Sequence, residues 1–489
     1  MQDGLGASGA DLIWIVNIYS LMLGALILIG GSLGDHFGRK RVYVIGIAIF
    51  SVMSVICGLA PTTELLIIAR TLQGIGGAMM IPGSLAIISA YFDDEQRGKA
   101  IGQWASATTL ASIVGPILGG IFADLGIWRA VFLIAIPFAA VSLYALYRYV
   151  PESRDEEAAQ ELDWVGAALV TLGMFGIVFG AIQVGNAGPT GLSNPLFTGA
   201  MMLGVILLLA FVWWEARSPH PMVPLKLFKS RTFTGTNLLT LFLYGALGGA
   251  LFFLPLNLQQ VQGYSATFSG FANLPLSILL TVMSPWAGGL VAKYGPRPPL
   301  IIGPTIVGFG FLGLALPYMT GGPSDYWLTY FPGSVLFGIG MGITVAPLTT
   351  AVMGSVPQHN SGTASGINNA ISRSAGTLAV AIMGGIALLF FSGTLGTAID
   401  DIGLPDAAYE RILADSSDWA NTRIPAELGN VPPATVETAI DNAFIDTFRL
   451  MMLIGAGLAW LSALLAFLVI EPKLKPPKEL LQQAPAAAD

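Results

Sequence analysis

The chain has 489 residues, 54% apolar and only 10% charged, with a formal net charge of −7 and a mean hydropathy of +0.71. A soluble domain carries about 25% charged residues, so a water-soluble class is excluded, and no basic cluster marks a nucleic-acid surface. The one cysteine, Cys57, rules out a disulfide framework and reads as a packing residue inside an apolar run.

Apolar runs of 18 or more residues recur from Leu12 to Ile470. Each can cross a hydrocarbon core of roughly 30 Å as a helix. They alternate too weakly for barrel strands, and in lipid the backbone must satisfy itself. The predicted class is an all-α polytopic membrane protein with thirteen spans. They cover 12–34, 42–60, 65–90, 98–123, 129–149, 164–184, 195–216, 233–258, 267–292, 299–320, 326–353, 362–392 and 446–470.

Residues 1–11 are polar, with Asp3 and Asp11 and no basic residue. A secretory signal needs a basic start, so this segment reads as an external loop that follows an earlier helix. Between the first two spans lies Gly31-Ser32-Leu33-Gly34-Asp35-His36-Phe37-Gly38-Arg39-Lys40-Arg41. A degraded copy, Gly288 to Arg297, follows span 267–292. The copy comes after two spans of its half and the original after one, so the first helix of the first half is expected to be missing. With the Asp35–Arg41 loop in the cytoplasm, 16 of the 22 Lys and Arg fall inside and four outside. The positive-inside rule therefore places the N-terminus outside and the C-terminus inside.

Arg70 lies about six residues into the third span, where a cation needs a partner, a cavity or a route to the surface. Gln73 follows one turn below it. Gly115-Pro116-x-x-Gly119-Gly120 lies in the outer part of the fourth span, where proline bends a helix and small residues let a neighbour approach. Arg373 lies about a third of the way along its span, within reach of the interior or the cytoplasmic surface. All 29 acids belong to loops or span ends, so no mid-membrane carboxylate exists to carry a proton. The loop 393–445 is acidic, with expected short helices at 405–415 and 434–448. It reads as a solvated spacer or as a flap over the outer vestibule.

Two halves align at an offset of 257 to 265 residues. Gly74 and Gly76 match Gly338 and Gly340, Pro82 matches Pro347, and Gly119-Gly120 matches Gly384-Gly385. Parallel repeats about an axis normal to the membrane are a transporter architecture. The expected organisation is a first bundle at 1–149, two linker spans within 150–232, a second bundle at 233–470 and a cytoplasmic tail at 471–489. His36, His220 and His359 are widely spaced, with no metal spacing and no nucleophile beside a base. Gly74-Ile75-Gly76-Gly77 has no preceding strand and no following Lys, so it is not a phosphate loop. An enzyme is not expected.

At these residues the chain resembles the major facilitator superfamily, and within it the fourteen-helix drug:proton antiporter branch. The first motif, Gly-x-Leu-x-Asp-x-x-Gly-Arg-Lys, stands at 31–40. The second stands at Arg70, Gln73, Gly74 and Gly76. The antiporter motif stands at Gly102, Ala111, Gly115-Pro116 and Gly119-Gly120, with Ala111 where glycine is usual, and Trp128-Arg129 follows it. The resemblance implies two pseudo-symmetric bundles and thirteen visible helices of fourteen. It implies efflux of small amphipathic molecules by proton antiport through alternating access. It also implies a cell-membrane location, no cofactor beyond the proton gradient, and a monomer whose partners are lipid, substrate and protons. Gating is expected from Gly31, Asp35, Gly38, Arg39, Arg41, Gly115, Pro116, Gly119 and Gly120. In particular, Asp35 is expected to latch onto the helix start near Ser361, with Arg39 or Arg41 pairing with Asp93, Asp94 or Glu95. The substrate cavity is expected to be lined by Asn17, Arg70, Gln73, Gln103, Trp104, Tyr244, Asn257, Asn273, Asn368 and Asn369. A lipid, siderophore or metabolite exporter of the same fold, or a truncated homologue that does not transport, remains an alternative.

Overall fold

The computed structural model describes residues 2–92, 94–154, 163–357 and 361–473. The long helices are α1 (Gly9–Phe37), α2 (Arg39–Leu59), α3 (Thr63–Tyr91), α4 (Asp94–Asp124), α5 (Ala135–Tyr149), α6 (Trp164–Asn186), α7 (Pro195–Glu215), α8 (Arg231–Leu256), α9 (Leu274–Gly288), α10 (Arg297–Ala315), α11 (Tyr330–Gly354), α12 (Ser361–Ile402) and α13 (Pro433–Val469). No strand occurs among the described residues.

Twelve segments among the described residues are long and apolar enough to cross a bilayer, against the thirteen expected. The predicted span 98–123 lies on α4, which is not among the twelve; its apolar stretch Val114–Asp124 is shorter than they are.

Local chemistry sets the helix ends. Ser8 and Asp11 form a reciprocal capping box at the start of α1. Thr62, Asp163, Asn194 and Ser230 cap α3, α6, α7 and α8 through side-chain oxygens. Gly38, at φ 107°, turns the chain between α1 and α2.

Both helical stretches expected in the acidic loop, 405–415 and 434–448, are helical, but the loop itself is shorter than expected. α12 runs on to Ile402 and α13 begins at Pro433, so irregular chain is confined to 403–432, apart from the short helix Asp406–Ala414. At 42 and 37 residues these helices are about 63 and 56 Å long, far beyond a bilayer core. The stretch 434–448 stays helical because Val436, Ala439, Ile440, Ala443 and Phe444 fall on one face and are buried.

The repeat is visible in the packing. A Cβ on Gly74 would stand 2.6 Å from the Tyr19 carbonyl of α1, and one on Gly76 2.8 Å from the Phe50 amide of α2. In the second half, Gly338 meets Leu276 and Leu279 of α9, and Gly340 meets Val307 of α10. Thus α3 lies on α1 and α2 as α11 lies on α9 and α10. The α6–α7 hairpin stands apart from this symmetry. α6 packs on α12 and α1, crossing at Gly185 and Gly385, while Met202, Leu203, Ile206 and Leu209 of α7 stay exposed.

Candidate functional site

The two halves meet along two seams related by the repeat, α4 against the short helix Ala266–Ala272 that leads into α9, and α12 against α1. The molecule has a basic end, bearing Arg39–Arg41, and an acidic end, bearing residues 403–432. The first seam is made at the acidic end. A Cβ on Gly120 would stand 2.4 Å from the Ala266 carbonyl, and one on Gly270 2.7 Å from the Pro116 carbonyl. Asp124 closes it: both carboxylate oxygens accept backbone hydrogen bonds at 2.8 Å, Oδ1 from Ala266 and Oδ2 from Thr267. Gly115 and Gly119 face open space in this arrangement. The second seam runs further along the molecule, with Gly384 against Ile13, Gly24 against Arg373 and Gly366 against Leu28. At its acidic end Trp419 is fully buried against Gly9, with its ring centroid 5.3 Å from Phe253 and 5.7 Å from Phe444.

At the basic end the motif residues bind one another and residues 150–153. Arg39 Nε donates to Asp35 Oδ1 at 2.8 Å, so Asp35 has a partner within its own motif. Of the expected carboxylate partners, Asp93 lies outside the described residues, as do the side chains of Asp94, Glu95 and Ser361. The Glu152 carboxylate accepts from the Lys40 and Arg41 amides at 2.9 and 3.1 Å, capping α2. Lys40 Nζ donates to the Val150 carbonyl at 2.6 Å. Arg41 contributes its amide here, and among the described residues it joins no ion pair. Gly31 makes only ordinary contact with Pro82; the close approach of α1 to α3 is at Gly30.

Near mid-depth, Arg70 Nε donates to the Ile15 carbonyl at 3.2 Å and Nη1 to Gln73 Oε1 at 2.8 Å. Its guanidinium lies 4.3 Å from the Tyr19 ring centroid. Gln73 Nε2 donates to Ser54 Oγ at 2.7 Å. Arg70 thus turns into the bundle and not to the acidic surface. Arg373, of the other half, packs beside Gly24 of α1, five residues on from Tyr19. Neither arginine joins an ion pair among the described residues.

The remaining predicted cavity residues divide by location. Asn368 Nδ2 donates to Asn237 Oδ1 and Thr240 Oγ1, and Asn257 Nδ2 to the Tyr330 hydroxyl, so both tie the second half together. Asn273 Nδ2 donates to the Ser269 carbonyl at the break before α9. Asn17 is buried, with both amide atoms unpartnered. Gln103 and Asn369 are exposed, and Trp104 and Tyr244 are half-buried.

Three features lie outside the sequence-based expectation: the capping role of Glu152, the Asp124 clamp between halves, and a buried acid pair on the linker hairpin. In that pair Asp163 Oδ1 accepts from the Gly166 amide and Trp214 Nε1, and Glu215 Oε2 accepts from the Val223 amide. Asp163 Oδ2 and Glu215 Oε1 have no partner and converge beside Gly166. Glu152 carries no local signal, because its partners are 111 and 112 residues away.

A family model described as Major Facilitator Superfamily matches residues 1–381. The chain is 32% identical over 460 residues to the multidrug resistance protein Stp of Mycobacterium tuberculosis (strain CDC 1551 / Oshkosh), covering 92% of this chain and 83% of that protein. It is 29% identical over 493 residues to the tetracenomycin C resistance and export protein of Streptomyces glaucescens, covering 98% and 88%. Among solved structures it is similar to a bacterial homologue of the human lysosomal transporter Spinster in an inward-facing, occupied conformation. That match has a TM-score of 0.60 at 18% identity and covers 96% of this chain and 90% of the other.

Proposed function

This chain belongs to the major facilitator superfamily, a family of transporters and not enzymes, and we propose that it exports small amphipathic molecules by alternating access, driven by the proton gradient. We further propose membership of the fourteen-helix drug:proton antiporter branch, with the basic end in the cytoplasm. The similarity to resistance and export proteins over nearly the whole chain supports the direction of transport.

One observation carries the alternating-access reading. The α4–α9 seam is clamped by Asp124 and Gly120 at the acidic end, while α3 and α11 make no substantial contact with each other. This is the arrangement of a carrier closed outside and open inside. Export requires the opposite state, in which the Asp124 hydrogen bonds break and the Asp35 loop approaches the start of α12.

The test is efflux from proteoliposomes containing the full chain under an imposed pH gradient, with anionic, neutral and cationic dyes as probes. Export of at least one dye that collapses with an uncoupler is the expected result. Failure of every dye class to move, with no drug resistance in an efflux-deficient host, would sink the proposal.

A further inference from the structure

Two guanidinium groups stand at mid-depth, one from each half, both against α1: Arg70 over Tyr19 and Arg373 beside Gly24. Tyr19 is about 15 Å along α1 from the acidic end, and Arg373 is about 18 Å along α12 from the basic end. Measured from opposite sides, both are therefore near the middle of a core of roughly 30 Å. Arg70 uses Nε and Nη1 for the Ile15 carbonyl and Gln73. Its Nη2 forms no hydrogen bond among the described residues, and neither does the Tyr19 hydroxyl. Arg373 sits beside the α1–α12 seam with its side chain exposed, and Asn369 lies one turn away on the same face, also exposed.

Among the described residues no carboxylate pairs with these cations. The acids of α1 are Asp11 and Asp35, at its two ends, and that of α3 is Glu64, in its first turn. The acids of α12 are Asp400 and Asp401, beyond the bilayer-length part of the helix. An intramembrane cation without an acid is costly unless it faces a cavity whose contents compensate it.

We propose that the transported molecule carries an anionic group, a carboxylate, sulfonate or phenolate, which docks between Arg373 and Arg70 and accepts a hydrogen bond from the Tyr19 hydroxyl. This assignment rests on the exporter reading and narrows its substrate class. A planar guanidinium matches such oxygens with paired N–H donors. The Tyr19 ring, already stacked under Arg70, offers an aromatic wall for the apolar part of the substrate. The same pair of charges repels a lipophilic cation. Because the two arginines belong to different halves, the anion bridges them, and separation of the halves at the basic end weakens its hold.

Two dyes sharing a ring system separate charge from hydrophobicity: fluorescein, an anion, and rhodamine 6G, a cation. Binding to the purified full chain is followed by fluorescence anisotropy, and export by proteoliposome efflux. Fluorescein is expected to bind, and Arg373→Gln to weaken it roughly tenfold or more without weakening rhodamine 6G, which loses a repelling charge. Arg373→Lys should retain part of the affinity. Fluorescein affinity within about twofold of wild type in Arg373→Gln, or a wild-type preference for rhodamine 6G, would overturn the assignment. Arginine-dependent fluorescein binding without export of either dye removes the exporter reading and leaves the anion site. Export of rhodamine 6G with no fluorescein binding does the reverse.

Discussion

Gly38 is required in the first motif by space and backbone geometry. Its φ of 107° is poorly accessible to other residues, and a Cβ there would stand 2.7 Å from the Glu152 carboxyl carbon. Gly38→Ala should therefore strain the turn by about 1–3 kcal/mol and dislodge the cap of α2. Gly31→Ala, which meets only ordinary contacts, should leave thermal stability near wild type. Glu152→Ala should lose about 0.5–1 kcal/mol, the low end of capping values because the site is exposed. Melting temperatures in detergent check all three, and equal melting of Gly38→Ala and Gly31→Ala would contradict this account. The motif itself was legible in the sequence, since Asp35, Gly38 and Arg39 are adjacent in the chain. Its real neighbour was not, because a carboxylate more than a hundred residues away becomes a cap only through the fold.

Among the helices, the antiporter motif can be assigned glycine by glycine. Gly120→Val places side-chain atoms against the Ala266 backbone, and overpacking of this kind costs about 1–3 kcal/mol. That lowers the population closed at the acidic end roughly five- to 150-fold. Gly115→Val and Gly119→Val meet open space in the closed arrangement and should leave that closure intact. Asp124→Asn keeps one acceptor of two and should loosen the same seam more mildly than Gly120→Val. Cysteine crosslinking between positions 123 and 268 reads closure directly; undiminished crosslinking in Gly120→Val would refute the assignment. The linker hairpin gives a prediction of opposite sign. Asp163→Asn retains the oxygen that caps α6 and removes one of two adjoining buried acids, so it should raise the melting temperature. Asp163→Ala should cost about 1 kcal/mol through the lost cap. Span positions were legible because apolar runs of bilayer length are unmistakable. The overrun of α12 and α13 was not, because the charged face of 434–448 sets that expected helix apart from the apolar span with which it is continuous. The cavity asparagines were recognisable as polar residues in spans, but whether Asn368 faces a substrate or Asn237 is a matter of helix rotation that composition does not record.

For the molecule as a whole, the acidic end is the more elaborate. Burial raises the Asp418 carboxyl above its usual range, Asp415 adds to this, Arg423 opposes it and Asp11 of the first half adds to it again. A carboxyl that binds its proton more tightly when docked favours docking at low pH. That contribution is present below the ordinary carboxylate range and is lost as pH rises through the raised value. Hydrogen exchange in 416–421 should therefore be slower near pH 4 than near pH 7, and Asp418→Asn should abolish the difference. A wild-type exchange rate unaffected by pH, after correction for intrinsic chemistry, would remove this role. The same region gives α12 a mechanical property. The helix is about 63 Å long, and the Arg373 level divides it into arms of about 18 and 45 Å. A rocking of the halves by about 10°, ordinary for rigid-body switches, would swing the far tip by about 8 Å while the arginine barely moves. α12 is thus an unequal lever with its fulcrum at the anion site. A spin or fluorescent label near its tip would magnify a motion too small to resolve where the substrate binds.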